Sequence, residues 1–213
     1  MNRPQETETR ETETRIGYVQ ALAAVTLFST SPVLIRWAGE VSAVEITFWR
    51  LALAALTVGI VGAITAQPVR WRSLPHRRFA GYGVVIALHF FLYIASLSFT
   101  SVAHSLALVY TAPLFIAVFS QLFLAEKLSG RRWLGVLLGV VGVGVLAGLE
   151  PLTGATPGPA GDSPALRSTV LLGDALAVGS AVAFAVYSVI GRAQRRTHRL
   201  FDYAAGVYGW GAL

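Results

Sequence analysis

The chain has 213 residues, of which 54% are hydrophobic and only 13% are charged. Soluble domains carry about a quarter charged residues, so this composition excludes a disordered chain and argues against a water-soluble globule. The chain has 17 Lys and Arg residues against 11 Asp and Glu residues, and it has no cysteine, which excludes disulfides and thiol-based metal sites.

Long apolar stretches predict an all-α, polytopic membrane helix bundle, because about 20 apolar residues in a helix cross one bilayer. A polar tail, 1–15, comes first and lacks the pattern of a secretory signal. Six complete helices are predicted at 16–35, 45–66, 79–97, 102–125, 133–149 and 169–191. Segment 150–168, rich in Pro and Gly, reads as a flexible external linker, and a seventh apolar segment begins near Asp202.

The positions of the basic residues predict the orientation in the membrane. Fourteen of the 17 Lys and Arg residues fall in the tail and in the loops 67–78, 126–132 and 191–199. Because successive spans alternate in direction, the tail and these loops are all predicted to lie on the same side of the membrane. Cytoplasmic loops are enriched in basic residues, so we expect a multi-pass protein of the cell (inner) membrane with a cytoplasmic N-terminus. The bases then contact lipid headgroups of the bilayer, and nucleic acid is not an expected partner.

A weak internal repeat relates the first and sixth predicted helices at an offset of 156. It pairs Gly17 with Gly173, Phe28 with Phe184, Val33 with Val189 and Arg36 with Arg192. A repeat of five helices is odd, so its two copies are inverted, which is an architecture of secondary transporters. The predicted domains are a first repeat at 16–149, the linker 150–168 and the start of a second repeat at 169–213.

Several motifs resemble the EamA family of the drug/metabolite transporter superfamily. They are Thr-Ser-Val-Ala-His at 100–104, Tyr-Thr-Ala-Pro-Leu-Phe at 110–115, Ala-Glu-Lys-Leu at 125–128, Phe-Trp-Arg-Leu at 48–51 and Ser-Pro-Val-Leu-Ile-Arg at 31–36. The resemblance implies ten helices in two inverted halves. It also implies a carrier of small metabolites, amino acids or drugs, often outward, that uses alternating access.

The family pattern continues beyond the seventh helix, so an alternative to an independent carrier is open. In this alternative, the chain is a truncated fragment or a subunit that does not transport without the missing helices. A second copy or a partner chain would supply those helices. The sequence contains no nucleotide-binding, metal-binding or nucleophile motif, so no enzyme activity and no cofactor are expected.

Polar residues on the third predicted helix form the main candidate for a solute path. Tyr82, His89, Tyr93, Ser96 and Thr100 are spaced by 7, 4, 3 and 4 residues, which places them on one helical face. Intramembrane polar groups face either a cavity or a hydrogen-bonding neighbour helix, and the sequence leaves both readings open. His89 could bind an anionic solute, carry a proton, or be structural.

Two prolines predict local breaks in membrane helices. Pro113 leaves the carbonyl of Val109 without its helical donor, and Tyr110 and Thr111 flank that break. Pro32 acts in the same way beside Ser29 and Ser31 in the first helix. Both segments are candidates for the substrate path.

The remaining candidates are charged. Arg50 is a possible partner for a substrate carboxylate or for Glu45, or it extends to the interface. Glu45 and Glu126 are candidates for gating or coupling, although Glu126 also suits a local pair with Lys127, Arg131 or Arg132. Asp174 is either a partner of the helix dipole or a coupling carboxylate.

Overall fold

The computed structural model describes residues 3–125, 129–153, 164–195 and 197–213. Over these ranges the chain is helical and contains no strand. The elements are α1 (Arg3–Trp37), α2 (Ala43–Ile64), a 3-10 turn (Trp71–Ser73), α3 (His76–Ser96), α4 (Val102–Val109), α5 (Ala112–Leu124), α6 (Gly130–Thr153), α7 (Pro164–Gln194) and α8 (Leu200–Gly211).

Within the described residues, five stretches are long and apolar enough to cross a membrane. They are Gly17–Trp37, Ala43–Ile64, His76–Ser96, Val102–Leu124 and Ser168–Gln194. Large apolar side chains cover their outer surfaces, for example Trp49 at 60% and Leu56 at 58% exposure. Such a surface needs a cover of lipid or of further helices. The predicted class, an all-α polytopic membrane bundle, is therefore confirmed.

The first compact unit, Met1–Glu40, contains α1. This helix already begins at Arg3, so the described part of the predicted tail is a helical extension of the first span. Inside the span, the Ser29 hydroxyl donates to the carbonyl of Val25 at 2.8 Å. Hydrogen bonds of this kind satisfy hydroxyl groups where water is absent.

The second unit, Val41–Leu213, begins with a capping box at the start of α2. The backbone N–H of Glu45 donates to Ser42 Oγ at 3.2 Å, and the backbone N–H of Ser42 donates to Glu45 Oε2 at 3.0 Å. These reciprocal bonds satisfy donors that a helix start otherwise leaves unpaired. They explain why α2 begins after the Gly39 turn.

Helix α3 lies at the centre of this unit and packs against α7, α8 and α2. Residues later in α3 contact residues earlier in α7. Gly173 lies against Phe99 and Thr100, while Ser180 lies against His89. The two helices are therefore antiparallel, as the parity of the predicted spans requires.

Helices α3 and α8 approach closely through glycines. A methyl group at Gly83 would lie 2.6 Å from the backbone nitrogen of Gly211, and one at Gly206 would lie 2.5 Å from the ring of Phe79. Only glycine leaves room for this packing. The surrounding core consists of Leu51, Leu74, Phe79, Ile86, Tyr203 and Val207, all buried.

The loops 67–75 and 195–199 meet at one end of the bundle, here named the basic end because both loops are rich in arginine. The backbone N–H of Arg70 donates to Asp202 Oδ1 at 2.8 Å, and Trp71 lies against Gly209. A single carboxylate thus joins the start of α8 to the loop before α3.

Besides the earlier start of α1, the structure differs clearly from the sequence-based boundaries at two places. The predicted fourth helix, 102–125, is divided into α4 and α5 by a turn at Tyr110 and Thr111. The predicted linker, 150–168, is helical at both described ends, because α6 continues to Thr153 and α7 begins at Pro164. Residues 154–163 lie outside the described part of the chain.

Candidate functional site

The turn between α4 and α5 places irregular backbone inside a membrane span. The Tyr110 N–H still donates to the carbonyl of Leu106 at 2.8 Å, whereas the Thr111 N–H donates to Leu108, only three residues back, at 3.1 Å. Pro113 has no N–H to continue the series. Tyr110 is 45% exposed beside this break. Irregular backbone at this depth is typical of segments that line a cavity or contact a protein neighbour.

Arg50 projects from α2 toward α3. Its guanidinium lies 4.5 Å from the ring centroid of Phe90, a cation–π contact. Tyr93 of α3 and Tyr208 of α8 lie in the neighbourhood of this group. The half-buried cation thus contacts one aromatic ring of α3, that of Phe90.

Tyr93, on α3, lies in the neighbourhood of both Arg50 and Tyr110. The structure therefore brings together three of the residues that the sequence nominated for the solute path. They come from α2, α3 and the end of α4.

His89 lies in the interface between α3 and α7 and is 6% exposed. Its Nδ1 atom lies 3.0 Å from the carbonyl oxygen of Ser180, a contact that places a hydrogen on Nδ1, and the Ser180 hydroxyl donates to the His89 carbonyl at 3.0 Å. The ring packs between Phe90 and Phe184 at centroid distances of 4.8 and 4.9 Å. In this arrangement His89 binds the two helices together.

Ser96 joins α3 to α4 in the same way. Its hydroxyl donates to the carbonyl of Tyr93 at 2.7 Å and lies 2.5 Å from the hydroxyl of Ser105, and both serines are fully buried. Four members of the polar stripe, His89, Tyr93, Ser96 and Thr100, are buried among helices. Tyr82, the fifth member, lines an apolar cavity of about 340 Å³ between α3, α5 and α7.

The remaining nominated residues lie elsewhere. Ser29, Ser31 and Pro32 belong to α1 in the first unit, and α1 continues through Pro32 without interruption. The Glu45 carboxylate also accepts a hydrogen bond from the Ser42 hydroxyl at 2.7 Å. Glu126 lies outside the described residues.

Sequence reasoning missed the partners that complete these groups. Phe90, Ser180 and Ser105 carry no formal charge, and no periodic pattern marks them. Tyr208 lies in the seventh apolar segment, which is too short to predict a membrane span. His104 Nε2 and Asp174 Oδ1 lie 3.4 Å apart, although 70 positions separate them in the chain. An ionisable residue in each of two apolar spans was the available signal for that pair.

The comparisons with known proteins agree on one relationship. The family model described as the EamA-like transporter family matches residues 15–148. An uncharacterized transporter of Archaeoglobus fulgidus is 25% identical over 173 residues, which cover 71% of this chain and 56% of that protein. An uncharacterized transporter of Vibrio cholerae is 24% identical over 140 residues, which cover 61% of this chain and 44% of that protein. The chain thus spans about half the length of these relatives. No solved structure matches it.

Proposed function

Because the chain belongs to the EamA-like transporter family, we propose that it forms part of a secondary transporter of small organic metabolites, amino acids or drugs. The direction is outward, and the mechanism is alternating access around a site near the middle of the bilayer. The observation that carries the proposal is the position of Arg50, a half-buried cation inside a membrane-spanning helix that contacts the ring of Phe90.

The chemistry of this group suits a solute with a negative or strongly polar end. A charge inside a span is costly and persists where it faces a partner, a solute or a water-filled cavity. Phe90 offsets part of that cost, and a guanidinium carries several N–H donors in a geometry that suits a carboxylate. Tyr93 and Tyr110 offer hydroxyl groups, and Pro113 keeps the backbone at the break irregular.

Other nominated residues have supporting roles in this proposal. His89 and Ser96 hold α3 against α7 and α4, so they position Tyr93 rather than bind the solute. Ser29, Ser31 and Pro32 of α1 stay candidates for the solute path on the sequence alone. Glu45 and Glu126 would act in gating or coupling.

The sidedness and the complete unit are also part of the proposal. We place the basic end and the N-terminus in the cytoplasm of the cell (inner) membrane, because fourteen of 17 basic residues fall on that side. Helices α7 and α8 begin the second inverted repeat, after the first repeat at 16–149 and the linker 150–168. The rest of a ten-helix unit then comes from further sequence, a second copy or a partner chain.

Efflux measurements test this function. The full chain is expressed in bacterial cells preloaded with radiolabelled amino acids, and efflux is compared with that of Arg50→Gln and of Arg72→Gln, an exposed arginine in the loop before α3. We expect Arg50→Gln to lose at least about tenfold in rate, the effect of one lost charge-assisted contact. Arg72→Gln should retain the rate. Equal rates for Arg50→Gln and the parent chain would contradict the proposed site.

The alternative is a truncated fragment or a subunit that does not transport alone. Chemical crosslinking in native membranes separates the two readings. A crosslinked species larger than the chain, together with efflux that appears only when it forms, supports the subunit. Efflux by the uncrosslinked chain supports an independent carrier.

A further inference from the structure

A second cavity, which is partly lined by polar residues, opens at the basic end of the bundle. It is separate from the apolar cavity beside Tyr82. It measures about 640 Å³, within the range of small-molecule sites, and lies between the end of α7 and the start of α8. We name it the tyrosine cavity. Residues that line it include Tyr187, Gly191, Arg192, Arg195, Tyr203 and Tyr208.

The charge of this cavity has one sign. Arg192 and Arg195 are both exposed at its rim. Its described lining contains no acidic residue. Asp202, at the start of α8, accepts a hydrogen bond from the Arg70 backbone at 2.8 Å. The cavity is thus suited to an anion, since guanidinium groups bind carboxylates and phosphates through paired donors.

Tyr203 supplies the observation that points to a ligand. The residue is 4% exposed, and its hydroxyl has no hydrogen-bond partner among the residues that the structure describes. A buried hydroxyl without a partner is unfavourable and uncommon in native proteins. Gly191 packs closely against this hydroxyl, because a methyl group there would lie 3.1 Å from the oxygen. The O–H group thus lacks an acceptor among the described residues, and a ligand in the cavity could supply one.

The aromatic rings of the cavity indicate the nature of the rest of the ligand. Tyr187 stacks on Tyr203 with centroids 6.4 Å apart and planes at 26°, and the hydroxyls of Tyr187 and Tyr208 lie 3.5 Å apart. Stacked rings favour a flat or apolar body in the same space. Neither Arg50 nor the break at Tyr110 lines this cavity.

We propose that the tyrosine cavity binds an organic oxyanion, a carboxylate or phosphate attached to an apolar or aromatic body. Arg192 and Arg195 attract the anion, and the Tyr203 hydroxyl donates a hydrogen bond to one of its oxygens. The same chemistry occurs in a soluble aromatic acid and in the headgroup of an anionic phospholipid. The proposal goes beyond transport, because it concerns binding and does not require the ligand to be moved.

Calorimetric titration of the full chain in phosphatidylcholine nanodiscs tests the soluble ligand. The probes are phenylacetate and its uncharged analogue phenylacetamide. We expect phenylacetate to bind at least about tenfold more tightly than the amide. Tyr203→Phe removes only the hydroxyl and should weaken phenylacetate about tenfold. Tyr82→Phe, the same change outside this cavity, should have no effect.

Nanodiscs that contain phosphatidylglycerol test the lipid source. Loss of phenylacetate binding there, or a rise in Tm that Tyr203→Phe abolishes, assigns the cavity to a lipid headgroup. Unchanged phenylacetate binding assigns it to a soluble acid. Gly191→Ala should weaken either ligand, because its methyl group crowds the hydroxyl.

Three results would overturn the proposal. One is equal affinity of Tyr203→Phe and the parent chain for phenylacetate. Another is equal affinity of the parent chain for the amide and the acid. The last is the absence of phenylacetate binding together with a lipid-dependent Tm that does not respond to Tyr203→Phe. Thermal denaturation without ligand checks that each variant is folded.

Discussion

His104 Nε2 lies 3.4 Å from Asp174 Oδ1, and this contact joins α4 to α7 near the end of the bundle opposite the basic end. The two side chains are 36% and 25% exposed, so solvent screens the pair only in part. The contact therefore links α4 to α7 through two polar side chains.

A double-mutant cycle with His104→Ala and Asp174→Asn measures that link. We expect a coupling free energy of about 1 kcal/mol, equivalent to roughly 2–4 °C in Tm, because the two side chains are in contact and only partly exposed to solvent. Thermal denaturation of the purified chain and its three variants provides the data. A coupling free energy near zero would show that the two side chains do not stabilise each other.

Close packing of α3 on α8 gives the second prediction. Gly83→Ala should destabilise the protein by about 1–3 kcal/mol, because its methyl group would lie 2.6 Å from the rigid backbone of Gly211. Gly81→Ala is the matched control on the same helix, since nothing lies within 4 Å of a methyl group there. That control should be neutral or slightly stabilising, as alanine favours helix. Equal Tm values for both variants would mean that α3 and α8 are not in contact.

The hydrogen bonds of Ser180 give the third prediction. Ser180→Ala leaves the His89 imidazole with the Ser180 carbonyl but without the hydroxyl, at a cost of about 1–2 kcal/mol in a fully buried site. Ser98→Ala, in the exposed turn after α3, is the control and should keep the parental Tm. Solute efflux at a permissive temperature should survive Ser180→Ala, since His89 is assigned a positioning role. Full loss of efflux with an unchanged Tm would instead place His89 in the solute path.

Much of this fold could be predicted from the sequence. The predicted spans at 45–66, 79–97 and 169–191 lie within a few residues of helical boundaries at one or both ends, because runs of apolar residues and polar turns mark them directly. The sequence also predicted an interruption near Pro113. It could not predict the two-residue turn, because that turn depends on which backbone carbonyls lose their N–H donors. Periodicity placed His89, Tyr93 and Ser96 on one face. It could not show that this face meets Ser180 and Ser105, because pairing between distant helices leaves no local signal.

The helix break itself yields the last prediction. Pro113→Ala supplies an N–H that can pair with the Val109 carbonyl, so α4 and α5 should join into one continuous helix. We expect slower hydrogen–deuterium exchange in peptides that cover 108–114 and a higher Tm, together with reduced efflux, because straightening the helix moves Tyr110 away from Tyr93. Pro68→Ala, in an exposed loop, is the control and should change none of these quantities. Because exchange is measured without a solute, it tests the break even where no transported molecule is known. Unchanged exchange with reduced efflux would mean that the Pro113 ring acts through contact rather than through the backbone.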